Sequence, residues 1–182
     1  MPTGPNNGYN GDYADYQILT SGNEGNVTVN GWEFSYQQQF TFLPGLLRTL
    51  SFSANYTYLM THSISRGVYR NTGQTAGFIP ETGNLNLSWR YRALSVRVRT
   101  NYHGRYLTSF GGDTAPQRSI YRFARTVTDL GFSYRVRANA EVTCDISNMT
   151  NEPQKFYRGV SSQLQSLSLH GVGVTFGVSG RF

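Results

Sequence analysis

One stretch decides the fold of this chain: Leu94-Ser95-Val96-Arg97-Val98-Arg99-Thr100-Asn101-Tyr102-His103. Its apolar, aromatic or threonine side chains alternate with polar or charged ones, and successive side chains of a β-strand point to opposite faces of the sheet. The stretch therefore predicts a strand with one apolar and one polar face, which continues through Arg105 on the polar face to Tyr106 on the apolar face. A slip of one residue in its pairing would move Arg97 and Arg99 to the apolar face.

Six further segments repeat this alternation, and helical periodicity is nearly absent. The sequence therefore predicts an all-β fold of about seven antiparallel strands. The further strands are expected at about residues 27–42, 52–60, 85–91, 123–134, 140–147 and 172–182. Within the first of them the phase of the pattern changes across Asn30-Gly31, which predicts a β-bulge.

The connections between the predicted strands alternate in length. They are short near Pro44, Arg92 and Arg137, and long at residues 64–78, 107–121 and 151–165. Transmembrane β-barrels sort their connections in this way, with short turns at one end and long loops at the other. The predicted strands, about 9 to 15 residues long, also exceed the roughly 5 to 6 residues usual in soluble proteins.

The composition excludes several classes of protein. Only 14% of the residues are charged, against roughly 25% in soluble domains, and no apolar run approaches the roughly 20 residues of a spanning helix. The net charge is +6, but the basic residues are scattered singly, which argues against a nucleic-acid partner. The single cysteine, Cys144, excludes an intramolecular disulfide and a cysteine-cluster zinc site.

The two arginines of the quoted stretch indicate which face meets lipid if the strands cross a membrane. An arginine on the lipid-facing surface at the bilayer midplane costs about 2–4 kcal/mol. Arg97 and Arg99 are therefore expected to face the lumen of a barrel, with the apolar side chains outside. A soluble β-sandwich with the same apolar faces inside, acting as a ligand-binding module, remains an alternative, as does a small self-contained outer-membrane barrel acting as an adhesin or pore.

Several segments in order resemble the C-terminal barrel region of TonB-dependent outer-membrane receptors. The first is Asn23-Glu24-Gly25-Asn26-Val27-Thr28-Val29-Asn30-Gly31-Trp32-Glu33-Phe34-Ser35-Tyr36-Gln37-Gln38. It is followed by Phe42-Leu43-Pro44-Gly45, Ala54-Asn55-Tyr56-Thr57-Tyr58, Ile79-Pro80-Glu81, Asp145-Ile146-Ser147-Asn148-Met149-Thr150-Asn151-Glu152-Pro153 and the terminal Phe182. The resemblance covers residues 23–182.

This resemblance implies a barrel of about 22 strands that encloses a plug domain and lies in the outer membrane of a Gram-negative bacterium. Such receptors take up ferric siderophores, cobalamin or saccharides with energy from the TonB complex. Residues 25–182 would be the C-terminal part of the barrel, and residues 1–24 a polar, Gly/Asn-rich extracellular loop segment. The sequence shows no plug, TonB-contacting segment or signal peptide. We therefore expect a fragment whose partners are the remaining barrel, the plug, the TonB complex through that plug, lipid and the insertion machinery.

Seven ionisable residues are expected to share the lumen: Arg97, Arg99, His103, Arg105, Asp129, Glu141 and Asp145. They would either contact the plug or an anionic substrate, or form a wall network in which Arg97 or Arg99 pairs with Asp129. No catalytic motif is present, so we expect no enzyme, no metal site and no cofactor. A hydrolase using His103, Ser109 and Asp129 is the weaker alternative.

The end of the chain carries an expected assembly signal. One face of the last predicted strand carries an outward row of apolar side chains, Val174, Phe176, Val178 and Phe182. The resemblance implies that Phe182 is the terminal aromatic residue that the insertion machinery of outer-membrane proteins recognises. A terminal residue makes few contacts, so Phe182 is expected to affect assembly more than stability.

Overall fold

The computed structural model describes residues 25–65, 74–111 and 116–180. The expected loop at residues 1–24 and the expected signal residue Phe182 lie outside these ranges. The described residues form eleven strands and two short 3-10 helices, Gly45–Thr49 and Pro116–Arg118. The strands are β1 Gly25–Gln39, β2 Leu50–Ser65, β3 Glu81–Tyr91, β4 Leu94–His103, β5 Tyr106–Ser109, β6 Ile120–Arg122, β7 Arg125–Arg137, β8 Ala140–Ser147, β9 Gln154–Arg158, β10 Leu164–Ser168 and β11 Gly173–Gly180.

Seven of these strands form one large antiparallel sheet in the order β1-β2-β3-β4-β7-β8-β11. Each strand pairs with the strands that precede and follow it in this order, so the sheet is a meander. The predicted all-β, antiparallel fold is confirmed. Over the described residues the sheet is open, with β1 and β11 at its two edges.

The register of the large sheet gathers the apolar side chains on one face. Leu87 of β3 pairs with Val98 of β4, Val98 with Leu130 of β7, and Leu130 with Ile146 of β8. Because side chains opposite one another in a ladder share a face, these residues form one apolar row across the sheet. The adjacent row holds Arg99 on the polar face.

The two ends of the large sheet differ. At the short-turn end, β3 and β4 are joined by residues 92–93 and β7 and β8 by residues 138–139, while residues 40–49 join β1 and β2. At the opposite, long-loop end, two of the connections predicted as long loops, at residues 107–121 and 151–165, overlap β5, β6, β9 and β10, which form a second antiparallel sheet. The prediction of plain loops there was wrong because these strands have no clear period of two of their own.

The small sheet contains the buried apolar core of the described residues. Leu107 and Tyr157 are 3% and 2% exposed. Tyr157 stacks on Tyr121 at 5.2 Å between ring centroids and packs against Phe123 at 4.7 Å. Their aromatic contacts, together with the ladder hydrogen bonds, stabilise the backbone of these connections.

The bulge predicted at Asn30-Gly31 is absent, since the β1–β2 register is unbroken from Gly25 opposite Ser65 to Gln39 opposite Ser51. A Cβ at Gly31 would collide with the Tyr58 carbonyl oxygen. Because glycine has no Cβ, the backbones of β1 and β2 can approach closely here without a bulge. An irregularity occurs instead between β7 and β8, between Arg135 and Arg137.

Candidate functional site

The polar face of the large sheet surrounds a groove of about 600 Å³. Gln37 of β1 and Asp145 of β8 both line it, although β2, β3, β4 and β7 lie between their strands. Side chains so far apart in the sheet can reach one cavity only if the sheet curls toward its polar face. The apolar face is therefore the convex outer surface, and the polar face is the concave inner one.

An arginine and a carboxylate face each other in this groove across a glycine. Arg97 of β4 pairs with Gly131 of β7, which in turn pairs with Asp145 of β8. A Cβ placed on Gly131 would lie 2.9 Å from Asp145 Oδ1 and 4.0 Å from Arg97 Cβ. The carboxylate of Asp145 thus occupies the space that a side chain at position 131 would fill, on the side toward Arg97.

Arg99 and Asp129 lie directly opposite each other in the β4–β7 ladder. Asp129 Oδ1 accepts a hydrogen bond of 2.9 Å from the backbone N–H of Asn148. Asn148 is 7% exposed, its Nδ2 donates to the Gly171 carbonyl at 3.0 Å, and its Oδ1 accepts from the Glu152 N–H at 2.9 Å. One role of Asp129 is therefore to anchor the start of the connection that leads to β9.

The other predicted site residues lie away from the groove. The fourth strand was expected to reach Tyr106, but β4 ends at His103 and Tyr106 begins β5 of the small sheet. His103 lies at the long-loop end, opposite Thr82 on one side and Arg125 on the other, and Arg105 is exposed just beyond it. Glu141 lies at the short-turn end, opposite Arg135. The structure thus brings Arg97 and Asp145 together in the groove, places Arg99 and Asp129 one row above, and leaves the remaining three at the ends of the strands.

The groove is also lined by Arg90 and by uncharged polar residues, none of which was a predicted site residue. Ser51 and Ser88 share a hydrogen bond of 2.6 Å between their hydroxyls, and Arg90 Nε donates to Ser95 Oγ at 3.3 Å. All four line the groove, as does Gln39. The alternation placed them on the polar face, but only the register shows which rows meet at the cavity.

The groove is a hydrogen-bonding surface of amides, hydroxyls and guanidinium groups with one carboxylate. Such groups bind polar or anionic molecules through neutral and charge-assisted hydrogen bonds. Among the described residues there is no group of three or more His, Cys, Asp or Glu side chains that could hold a metal ion. Ser109 of the hydrolase alternative belongs to the small sheet, whereas His103 and Asp129 lie on the large one.

The outer face carries two aromatic clusters. Trp32, in the middle of β1, packs against Tyr56 and Tyr58, with ring centroids 5.6 and 6.0 Å apart. This cluster lies level with the long-loop end of β3, since Tyr58 pairs with Glu81, the first residue of β3. At the short-turn end Trp89 stacks on Tyr91 at 6.0 Å. Large apolar side chains of this face are exposed, from Phe34 at 56% on β1 to Phe176 at 76% on β11.

The members of the expected assembly signal that the structure describes belong to this outer face. Val174, Phe176 and Val178 of β11 pair with Ile146, Cys144 and Val142 of β8 and are all exposed. Cys144, between Phe132 and Phe176 in the ladders, therefore lies on the apolar face, as its place in the alternation predicted.

Comparison with known proteins adds no relative. No family model, curated protein or solved structure matches this chain. Of the residues that the structure describes, none belongs to a helix long and apolar enough to cross a membrane. The geometry of the large sheet and its groove therefore carries the functional assignment.

Proposed function

We propose that this chain forms the C-terminal part of the transmembrane β-barrel of a TonB-dependent outer-membrane receptor. The receptor would take up a scarce substrate of the ferric siderophore, cobalamin or saccharide class across the outer membrane of a Gram-negative bacterium. The exposed, continuous apolar face of the large sheet carries this proposal.

The size of the apolar face supports a lipid environment. From Leu94 to Tyr102, β4 advances eight residues, which is about 27 Å along the strand, or about 20 Å in height at a tilt of about 40°. Seven strands spaced about 4.8 Å apart are roughly 34 Å wide perpendicular to the strands, so with a strand length of about 27 Å the face covers roughly 900 Å². The largest apolar patch of a soluble monomer is roughly 300–600 Å².

The arrangement of the outer face also agrees with a bilayer. Membrane barrels carry an apolar band about 25 Å tall between two girdles of aromatic residues. Here the Trp32 cluster and the Trp89–Tyr91 pair flank a band that contains the row from Leu87 to Ile146. The polar face, with Arg97 and Arg99, would then line an aqueous lumen.

The two edges of the large sheet support a larger barrel. In lipid, each unpaired backbone N–H or C=O group costs several kcal/mol, so a spanning sheet must close. β1 alone presents an edge of 15 residues. Further strands are therefore expected to pair with β1 and β11, and a plug domain to contact the polar lumen wall that includes Arg97 and Asp145.

Cysteine labelling tests this orientation. In a Cys144→Ala background, Arg97→Cys in membranes should react with a water-soluble thiol reagent, and Val98→Cys only with a lipid-soluble one. The opposite pattern, or a monodisperse protein in buffer without detergent, would overturn the membrane assignment. The receptor assignment itself requires that uptake of a ferric siderophore, cobalamin or saccharide by cells making the protein depend on both this chain and TonB.

A further inference from the structure

Three arginines occupy the three short connections of the large sheet. Arg48 lies in the 3-10 helix between β1 and β2, Arg92 lies between β3 and β4, and Arg137 ends β7 at its turn to β8. All three are exposed. The connecting residues 40–49, 92–93 and 138–139 contain no acidic residue. We call these three side chains the arginine row.

Two members of the arginine row lie on the apolar side of the sheet. The Arg92 guanidinium lies 5.3 Å from the centroid of the Tyr91 ring, and Tyr91 pairs with Leu94 on the apolar face. Arg137 pairs with Ala140, because the irregularity after Arg135 shifts the register by one residue. A β-bulge re-aims side chains in this way, and Arg137 thus shares the apolar face with Ala140.

Neighbouring arginines at the same end lie on the polar face instead. Arg90 donates to Ser95 on the polar face, and Arg135 lies opposite Glu141. Both therefore have partners on the polar face: Arg90 has a hydrogen-bond acceptor, and Arg135 has a carboxylate opposite it in the ladder. Of the arginine row, by contrast, Arg137 lies opposite Ala140, and Arg48 and Arg92 lie in connections outside the ladders.

Hydrogen bonds hold the three connections side by side. Trp89 Nε1 donates to the Leu46 carbonyl at 2.8 Å, and the Thr49 hydroxyl donates to the Arg90 carbonyl, which joins the first connection to β3. The Arg135 N–H donates to the Ala93 carbonyl at 2.9 Å, which joins the second connection to β7. The arginine row therefore follows one rim, beside the aromatic side chains of the short-turn end.

We propose that the arginine row binds the phosphate groups of anionic phospholipids in the leaflet at the short-turn end. The inference rests on the proposed membrane position of the sheet. Guanidinium groups bind phosphate oxygens bidentately, and arginines next to interfacial aromatic residues lie at headgroup depth. Leu46 and Leu47, each 51% exposed, lie beside Arg48 where acyl chains begin. Connections with basic and no acidic side chains are complementary to an anionic leaflet.

Quenching of Trp89 fluorescence by brominated lipids reports which lipid lies next to the arginine row. Trp32→Phe leaves Trp89, next to the arginine row, as the only tryptophan. The full chain is folded into phosphatidylcholine vesicles with a minor fraction of phosphatidylglycerol. Two samples contain the same amount of lipid with brominated acyl chains, which is phosphatidylglycerol in one sample and phosphatidylcholine in the other. Enrichment of the anionic lipid should make brominated phosphatidylglycerol the stronger quencher of Trp89. Each arginine near an anionic surface raises the binding constant for that surface about fivefold, so the three together favour the anionic lipid by on the order of a hundredfold.

Two triple variants with the same change in net charge test whether the arginine row causes the preference for anionic lipid. Arg48→Gln/Arg92→Gln/Arg137→Gln should abolish the preference, whereas Arg118→Gln/Lys155→Gln/Arg158→Gln, at the long-loop end, should retain it. Equal quenching by the two lipids without these substitutions, or equal loss of preference in both variants, would overturn the site. No quenching of Trp89 even by brominated phosphatidylcholine in neutral vesicles would instead overturn the membrane assignment, and the lipid site with it.

Discussion

Replacing Val98 with arginine tests the proposal that the apolar face of the large sheet meets lipid. Val98 lies at the centre of the apolar face, between Leu87 and Leu130. Four residues separate it from Leu94 and four from Tyr102, so it is about 13 Å along the strand from each end of the apolar band. A charge placed there is as far from both interfaces as this sheet allows.

The expected cost follows from this depth. An arginine on the lipid face at the midplane destabilises a membrane barrel by about 2–4 kcal/mol, which lowers the folding equilibrium constant by about 30- to 700-fold. Ser53→Arg is the matched control. Ser53 pairs with Gln37 and with Asn86, which itself pairs with Arg99, so Ser53 lies on the polar face in the row of Arg99. There the same substitution should change stability by no more than about 0.5 kcal/mol.

Urea unfolding of the protein in phospholipid vesicles, followed by tryptophan fluorescence, measures both costs. Equal destabilisation by the two substitutions, or a larger effect of Ser53→Arg, would refute the assigned facing. If Val98→Arg were equally costly in a protein that folds in buffer without lipid, the apolar face would be covered by protein, as in a β-sandwich.

Three further predictions concern the loop anchor, the groove and the end of the chain. Asn148→Ala should lower the free energy of unfolding by about 1–3 kcal/mol, since it leaves the partly buried Gly171 carbonyl and Glu152 N–H without their side-chain partner, and thermal melting measures this. Gly131→Val should displace the Asp145 carboxylate, because the new Cβ would lie 2.9 Å from its Oδ1. The coupling energy between Arg97→Gln and Asp145→Asn, from a double-mutant cycle, should then fall toward zero. Deleting Phe182 should reduce the amount of protein inserted in cells and leave the melting temperature of the assembled fraction nearly unchanged.

Each of these predictions has an outcome that contradicts it. Asn84→Ala, at an exposed asparagine whose Nδ2 donates to Asn55 Oδ1, should cost less than Asn148→Ala, and the reverse order would remove Asn148 as an anchor. An unchanged coupling energy after Gly131→Val would mean that Arg97 and Asp145 do not interact across the glycine. Normal insertion without Phe182, or a large fall in melting temperature, would exclude its role as an assembly signal.

Sequence periodicity predicted the sheet well and the connections poorly. A strand exposes alternate side chains to two different environments, so the large sheet left a readable period of two in residues such as Val96, Arg97 and Val98. The small sheet left none, because its strands are short and pack on Tyr157 through scattered aromatic contacts. The bulge predicted at Asn30-Gly31 was wrong for a related reason, since the pattern of polar and apolar residues does not show that the backbones approach closely at Gly31.

The sequence by itself determined the all-β class, the two faces of the long strands apart from the start of β1 and the end of β7, and the residue types on the polar face, since these depend only on alternation along the chain. Tertiary structure alone decided which of those residues meet. Arg97 and Asp145 are 48 positions apart in the sequence, and they face each other only because the β4–β7 and β7–β8 registers place Gly131 between them. In the same way, a one-residue shift in register near Arg137 places its side chain on the apolar face beside Ala140. Register is set by the summed pairing of whole strands, so no local pattern of residues reveals it.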